Sequence, residues 1–178
     1  LAEAMPPAPG WTVVSPELAE LLGHLAAEGY VSQDHLNIQY TSNDAGHRAR
    51  VAELWSRLFL GSSHEWKGTS GFNPEREVGQ LRLGGVPSLR AWLRETLYTA
   101  DGWKKVPSIV LNGTLDAQRA FLDGYYAGDG LKAGNGDSVK TNSPVLAQGL
   151  CWLYANLGRP SSVYAEQRNG AVYYQLNI

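Results

Sequence analysis

Two carboxylates stand at the same place in two copies of one short pattern. Glu28 closes Leu21-Leu22-Gly23-His24-Leu25-Ala26-Ala27-Glu28-Gly29, and Asp129 closes Leu122-Asp123-Gly124-Tyr125-Tyr126-Ala127-Gly128-Asp129-Gly130. Small residues recur four apart in both, Gly23 with Ala27 and Gly124 with Gly128. On a helix, each pattern therefore presents a stripe over which two backbones can approach closely. If the stripes meet, the last turns come together and the two acids become neighbours. An acid in the last turn opposes the helix dipole, and two acids side by side repel, so the placement costs stability twice over. A divalent cation removes both penalties. Two hard oxygen donors from separate elements, with water and phosphate completing the shell, describe a Mg2+ site suited to phosphodiester hydrolysis, with Ca2+ or Mn2+ as substitutes.

Other chemistry-bearing residues carry less. His24 lies one turn before Glu28, but no second histidine or cysteine shares its face, so helix packing is the expected role. His35, His47 and His64 have no ligand spacing among them, which argues against zinc. The lone cysteine, Cys151, sits in an apolar helix pattern and excludes an internal disulfide framework. With 178 residues and 43% hydrophobic composition, the chain can bury one substantial core or two small ones packed together. No apolar run is long enough to span a membrane and the start lacks signal-peptide character, so a cytoplasmic location, or nuclear in a eukaryote, is expected. The net charge of −2 and pI near 6.1 weigh against a polyanionic partner unless the fifteen basic residues gather on one surface.

The elements that must position the two acids repeat. Residues 1–14 are proline-rich and read as a linker. Ser15-Pro16-Glu17 supplies an N-cap, a first-turn proline and a favourable acid, opening a helix that stops at Gly29. Tyr30 to Thr41 reads as a half-buried strand, with Leu36, Ile38 and Tyr40 alternating with Asn37, Gln39 and Thr41. A helix capped near Ser42 or Asn43 follows, buried through Val51, Leu54, Trp55, Leu58 and Phe59 up to Gly61. Two strands come next, the second containing Gln80-Leu81-Arg82-Leu83, and then a helix from Pro87-Ser88 through Tyr98. Pro107 and Gly113 mark a connector. From Thr114 the pattern restarts: a helix to Gly130, a hairpin turning at Gly134-Asn135-Gly136, a helix from Ser143 to Gly158, and a hairpin turning at Arg168-Asn169-Gly170. Gln175-Leu176-Asn177-Ile178 answers Gln80-Leu81-Arg82-Leu83. A duplication of about 100 residues accounts for this order and gives an α/β (α+β) fold of two halves related by a pseudo-twofold. The expected divisions are a linker at 1–14, a first half at 15–100, a connector at 101–113 and a second half at 114–178.

The paired motif patterns resemble those of the LAGLIDADG, or dodecapeptide, homing endonucleases position by position, the copy from Phe121 to Gly130 most closely. Lys104-Lys105-Val106-Pro107 resembles the Lys-x-Ile-Pro segment that precedes the second motif in intein-borne members. The resemblance covers nearly the whole chain. It implies two αββαββα halves, motif helices paired at the centre, and antiparallel sheets forming a saddle in the major groove of double-stranded DNA. It also implies Mg-dependent cleavage of both strands, with Glu28 and Asp129 holding metal and Lys104 reaching the active site, where an ammonium can stabilise phosphorane-like charge or poise the attacking water. The family's symmetrical second lysine has no evident counterpart after Asp129, although Lys140 lies on a strand; unequal cutting of the two strands, or a degraded enzyme that still binds DNA, would follow.

The polar face of each hairpin is the one left for DNA, because the apolar face must pack on the helices. Alternation nominates Ser32, Asn37, Gln39, Thr41, Gln80 and Arg82 in the first half, and Ser138, Lys140, Asn142, Tyr173, Gln175 and Asn177 in the second. A single chain holding both halves needs no second copy, so a monomer is expected, with a flanking intein splicing domain as a further partner in a longer protein. The chain itself has no Cys or Ser at residue 1 and no terminal His-Asn, so the splicing chemistry is absent. Two other readings remain: a non-cleaving DNA- or RNA-binding module, either regulator or maturase, on the same scaffold, and a duplicated α/β ligand-binding protein with incidental acids.

Overall fold

A computed structural model describes residues 13–69, 75, 77–130, 137–168 and 170–178. Its elements run α1 (Pro16–Glu28), β1 (Gly29–Val31), β2 (Ile38–Thr41), α2 (Ala45–Phe59), β3 (Ser62–Thr69), β4 (Glu77–Gly84), α3 (Leu89–Leu97), α4 (Ser108–Leu111), α5 (Leu115–Asp129), β5 (Ser138–Thr141), α6 (Pro144–Asn156), β6 (Ser162–Arg168) and β7 (Ala171–Asn177). The strands form two antiparallel sheets, in the order β1-β2-β4-β3 and β5-β7-β6. One hydrophobic cluster runs through both halves, from Leu21 and Leu22 on α1 through Trp55 and Leu81 to Phe121, Leu150 and Leu176.

The duplication is written in the strand register. Leu81 lies opposite Tyr40 on β2 and Glu65 on β3; Leu176 lies opposite Val139 on β5 and Val163 on β6. Gly29 pairs with Tyr40, and Gly130 forms the corresponding antiparallel bridge to Val139. Tyr40 and Val139, Thr41 and Lys140, and Leu81 and Leu176 are therefore equivalent positions, as the match of Gln80–Leu83 with Gln175–Ile178 anticipates.

Side-chain oxygens set the helix starts. The Ser15 hydroxyl accepts from the Leu18 amide at 3.2 Å, Thr114 from Ala117 at 3.2 Å and Ser143 from Leu146 at 3.1 Å. On α2 the cap is Asp44, not Ser42 or Asn43: its carboxylate takes the amides of Gly46 and His47. The expected single strand from Tyr30 to Thr41 is a hairpin. The Ser32 hydroxyl accepts from the amides of Leu36 and Asn37 and so closes the turn, leaving Leu36 57% exposed. Of the expected linker, residues 1–12 lie outside the described residues, and Val14 belongs to the core. The turn at Gly134-Asn135-Gly136 and Asn169 of the last turn also lie outside them.

Candidate active site

Helices α1 and α5 touch through their backbones. A Cβ on Gly23 would sit 2.1 Å from the Phe121 carbonyl oxygen, one on Gly124 2.3 Å from the Glu20 carbonyl oxygen, and one on Gly128 2.7 Å from the Cβ of Ala27. Only glycine permits this approach at Gly23 and Gly124, because what it meets is main chain. Neither helix ends in a left-handed cap. Gly29 and Gly130 are extended and carry the chain straight into the sheets, so both terminal acids stand where helix and sheet join.

Glu28, Asp129 and Lys104 line one cleft of about 370 Å³ together with Lys140, Thr141, Asn142 and Tyr173 of the second half. Burial pushes the Glu28 carboxyl up to about 7, the Asp129 charge adds to this, and the Lys104 ammonium opposes it. Asp129 is also raised by burial, held back by a hydrogen bond from the Tyr125 hydroxyl and by Lys104. Lys104 is pulled down to about 8 by burial, against the pull of Asp129 and Glu28. Two carboxylates thus share one cation, and the pocket disfavours their ionised forms.

Lys104 is fixed by a short turn. Its residue bridges to Tyr98, and the Lys105 amide donates to the Leu97 carbonyl. Its ammonium donates to the carbonyls of Ala27 at 2.9 Å and Leu25 at 3.3 Å, in the last turn of α1, which has no basic residue of its own. Its carbonyl accepts from the Ser143 hydroxyl, the cap of α6, at 2.6 Å. Lys105 instead borders a separate, mostly apolar groove with Trp152.

Among the described residues no group of three or more His, Cys, Asp or Glu side chains is placed to hold a metal. The two-carboxylate set still fits Mg2+, which keeps most of its waters and is bound through one or two carboxylates plus substrate phosphates. His24 has the role expected of it. It is buried, its ring meets the Tyr40 hydroxyl at 3.3 Å, and burial lowers it to about 4.

The remaining nominated residues divide. Asn37, Gln39, Thr41, Gln80 and Arg82 share the face of the first sheet opposite its core, where Arg82 donates to the Asn37 side-chain oxygen. Lys140, Tyr173, Gln175 and Asn177 share that face of the second sheet. Ser32 and Ser138 do not belong with them. Ser32 is 8% exposed and spent on its turn; Ser138 is fully buried, and its hydroxyl finds no partner among the described residues. The outer hairpin strands were expected, but none of their open-face residues was nominated. Register puts His64 and Trp66 beside Arg82 and Gln80, and Tyr164 and Glu166 beside Gln175 and Tyr173. Sequence reasoning also missed Tyr125, buried one turn before Asp129, whose hydroxyl reaches the Lys140 carbonyl at 3.3 Å.

Residues 116–178 match the model of the LAGLIDADG-like domain, the half that carries Asp129. The whole described fold matches I-DmoI. A variant of that homing endonuclease, in complex with its target DNA in the presence of Mg, superposes with a TM-score of 0.66 at 18% identity, covering 92% of this chain and 88% of that one. The second half matches a LAGLIDADG-like domain, and the described residues share the I-DmoI fold. I-DmoI has also been solved in complex with DNA and Mn and with DNA and Ca. Among curated sequences, the chain is 34% identical over 197 residues to a replicative DNA helicase DnaB of Rhodothermus marinus, matching 100% of itself and 20% of that protein. It is 25% identical over 167 residues to a replication factor C small subunit of Methanocaldococcus jannaschii, over 91% of itself and 9% of that protein. It therefore spans a fifth or less of the length of these relatives.

Proposed function

We propose that this protein is a site-specific DNA endonuclease that lies along a long duplex with the open faces of both sheets and hydrolyses both strands beside Glu28 and Asp129. The observation that carries the reading is the cleft itself. Two carboxylates with raised proton affinity and one buried ammonium meet beside the polar face of the second sheet, which suits a phosphodiester better than a neutral ligand. Bound between the carboxylates, Mg2+ would supply Lewis-acid stabilisation of the phosphate oxygens and a water of lowered pKa. Glu28 and Asp129 hold the position for it, each fixed by the last turn of a helix that cannot slide past its partner. Lys104 is tethered to the α1 carbonyls within reach of both acids, and its ammonium can offset charge developing on the pentacoordinate phosphate or orient the attacking water. Amide-rich strands supply base contacts, with Asn and Gln suited to adenine and Arg82 to guanine.

The chain is proposed to act as a monomer, because the duplication already places both half-sites in one polypeptide. Its match to a small fraction of much longer replication proteins supports residence within a longer host chain, as an intein-borne domain would have. Selection from a randomised duplex library in Ca2+, followed by incubation of the selected DNA in Mg2+, tests the proposal. Enrichment of one long sequence, then double-strand cleavage within it, is the expected outcome. Enrichment without cleavage would leave a DNA-binding module, and no enrichment would remove DNA as the partner.

A further inference from the structure

Across the described strands, the faces open to solvent carry one carboxylate. On the first sheet, Glu65 and Glu77 pair with Leu81 and Thr69 and lie on the opposite side from Gln80 and Arg82. On the second, Glu166 pairs with Tyr173 and stands on the open side with Lys140, Tyr164 and Gln175. A carboxylate on a surface that meets a polyanion weakens binding unless something there needs an acceptor. Glu166 is 47% exposed at its side chain, in hydrogen-bond contact with the Lys140 ammonium, which also lies 5.6 Å from the centre of the Tyr173 ring. Lys140 and Tyr173 border the cleft of Glu28 and Asp129. The pair therefore stands next to the point of cleavage, on the side of the second half.

We infer that Lys140 and Glu166 together read one G·C base pair in the major groove, Lys140 donating to guanine and Glu166 accepting from the amino group of cytosine; this rests on the proposed DNA-cleaving function. The chemistry is complementary at both ends. In the major groove, guanine offers acceptors at O6 and N7, and its partner cytosine offers a donor at N4. O6 and N4 are hydrogen-bonded to each other, so they lie about 3 Å apart, as near as the ammonium and carboxylate already are. An ammonium and a carboxylate side by side can thus meet both bases without parting. With adenine before Lys140 the order is opposite, a donor on N6 against an acceptor on thymine O4; with thymine there the order is kept, but Lys140 meets a methyl group in place of the second acceptor, guanine N7. Reversing the two side chains to suit adenine would take Glu166 towards the purine that Lys140 faces.

The pseudo-twofold gives an internal control. The equivalents of Lys140 and Glu166 are Thr41 and Gly68, since Gly68 opposes Val78 as Glu166 opposes Tyr173. That pair holds no charge, so the corresponding base pair on the other side of the target should lack the preference.

Library selection with wild type, Lys140→Met and Glu166→Gln tests this. Wild type should enrich G·C at one position near the cleavage centre, on the side of the second half. Both variants should lose at least about fivefold of the G·C over A·T preference there, the lower end of a good base contact, and leave every other position as in wild type. Three results would each overturn the inference: affinity that shifts equally on all sequences, variants that act at different positions, or a wild-type preference other than G·C at the affected position. Wild type that enriches no sequence would overturn the DNA-cleaving function and this inference together, whereas enrichment without G·C at that position leaves the former standing.

Discussion

Glu28 titrates near 7 in the fold against 4.5 as a free side chain. A carboxyl raised in the folded state contributes stability that is fully present below about 4.5 and is lost as pH rises through about 7. Without metal, wild type should therefore lose stability between pH 5 and 8. Glu28→Gln cannot ionise and should be the more stable protein at pH 8 by about 2 kcal/mol, a figure reduced from the full shift because the carboxyl is partly solvated. Denaturant titrations in EDTA at the two pH values check this, and parallel pH dependence in both proteins would refute it. Both Glu28→Gln and Asp129→Asn should abolish cleavage while metal-free DNA affinity holds or rises, read from cleavage and binding assays on one target. Lys104→Met should slow cleavage about a hundredfold or more, the effect of removing one oriented charge from a transition state; cleavage within tenfold of wild type would confine Lys104 to capping α1. The two acids were legible in the sequence because they recur in a repeated pattern. Tyr125 was not, since a tyrosine on the buried stripe of a helix reads as core until its hydroxyl is located.

At the level of elements, the α1–α5 contact is the feature most sensitive to a single methyl group. In Gly124→Ala the added carbon meets the Glu20 carbonyl and the His24 amide, neither of which can turn aside. The helices must separate, at a cost of about 1 to 3 kcal/mol or more, and the separation moves Asp129 away from Glu28. Cleavage should fall further than stability alone explains, which denaturant melts and single-turnover rates would show together; an unchanged rate in the folded variant would mean that the carboxylate spacing is not critical. The motif helices, α6 and β4 were visible because each buries one face and exposes the other. Strands β3 and β6 were not visible as candidate DNA readers. Residues of β6 are exposed on both sides and those of β3 nearly so, and a strand wetted on both faces has no polar–apolar alternation to detect. Ser32 and Ser138 failed for the opposite reason: alternation fixes the side of a strand but not what covers it.

For the whole molecule, part of the charge is paired in the helical layer: Glu17 and Glu20 of α1 and Glu53 of α2 are tied to Arg50 and Arg57 of α2. Among the described strand residues, lysine and arginine reach the open faces only as Arg82, Lys140 and Arg168. With Lys104 added, even if all four met phosphate the log–log salt dependence of binding would be no steeper than roughly −4. A slope twice that, from binding isotherms across salt concentrations, would show that other basic residues carry the duplex. Sedimentation should give a monomer, free and on DNA. Lys140 is equivalent by register to Thr41, not to Lys104, so it is not the symmetrical second lysine.

Lys104 spans the two halves: its ammonium closes α1 of the first, and its carbonyl receives the cap of α6 in the second. Builders of chimaeric nucleases who exchange one half for a relative's would naturally treat 101–113 as inert string and join within it. Such a joint would leave α1 and α6 each seeking a partner supplied by the wrong parent. Grafts that keep Tyr98 to Pro107 intact and join nearer Gly113 retain the bolt along with the part it fastens, and the catalytic yield of the two joint positions should differ even where both hybrids fold.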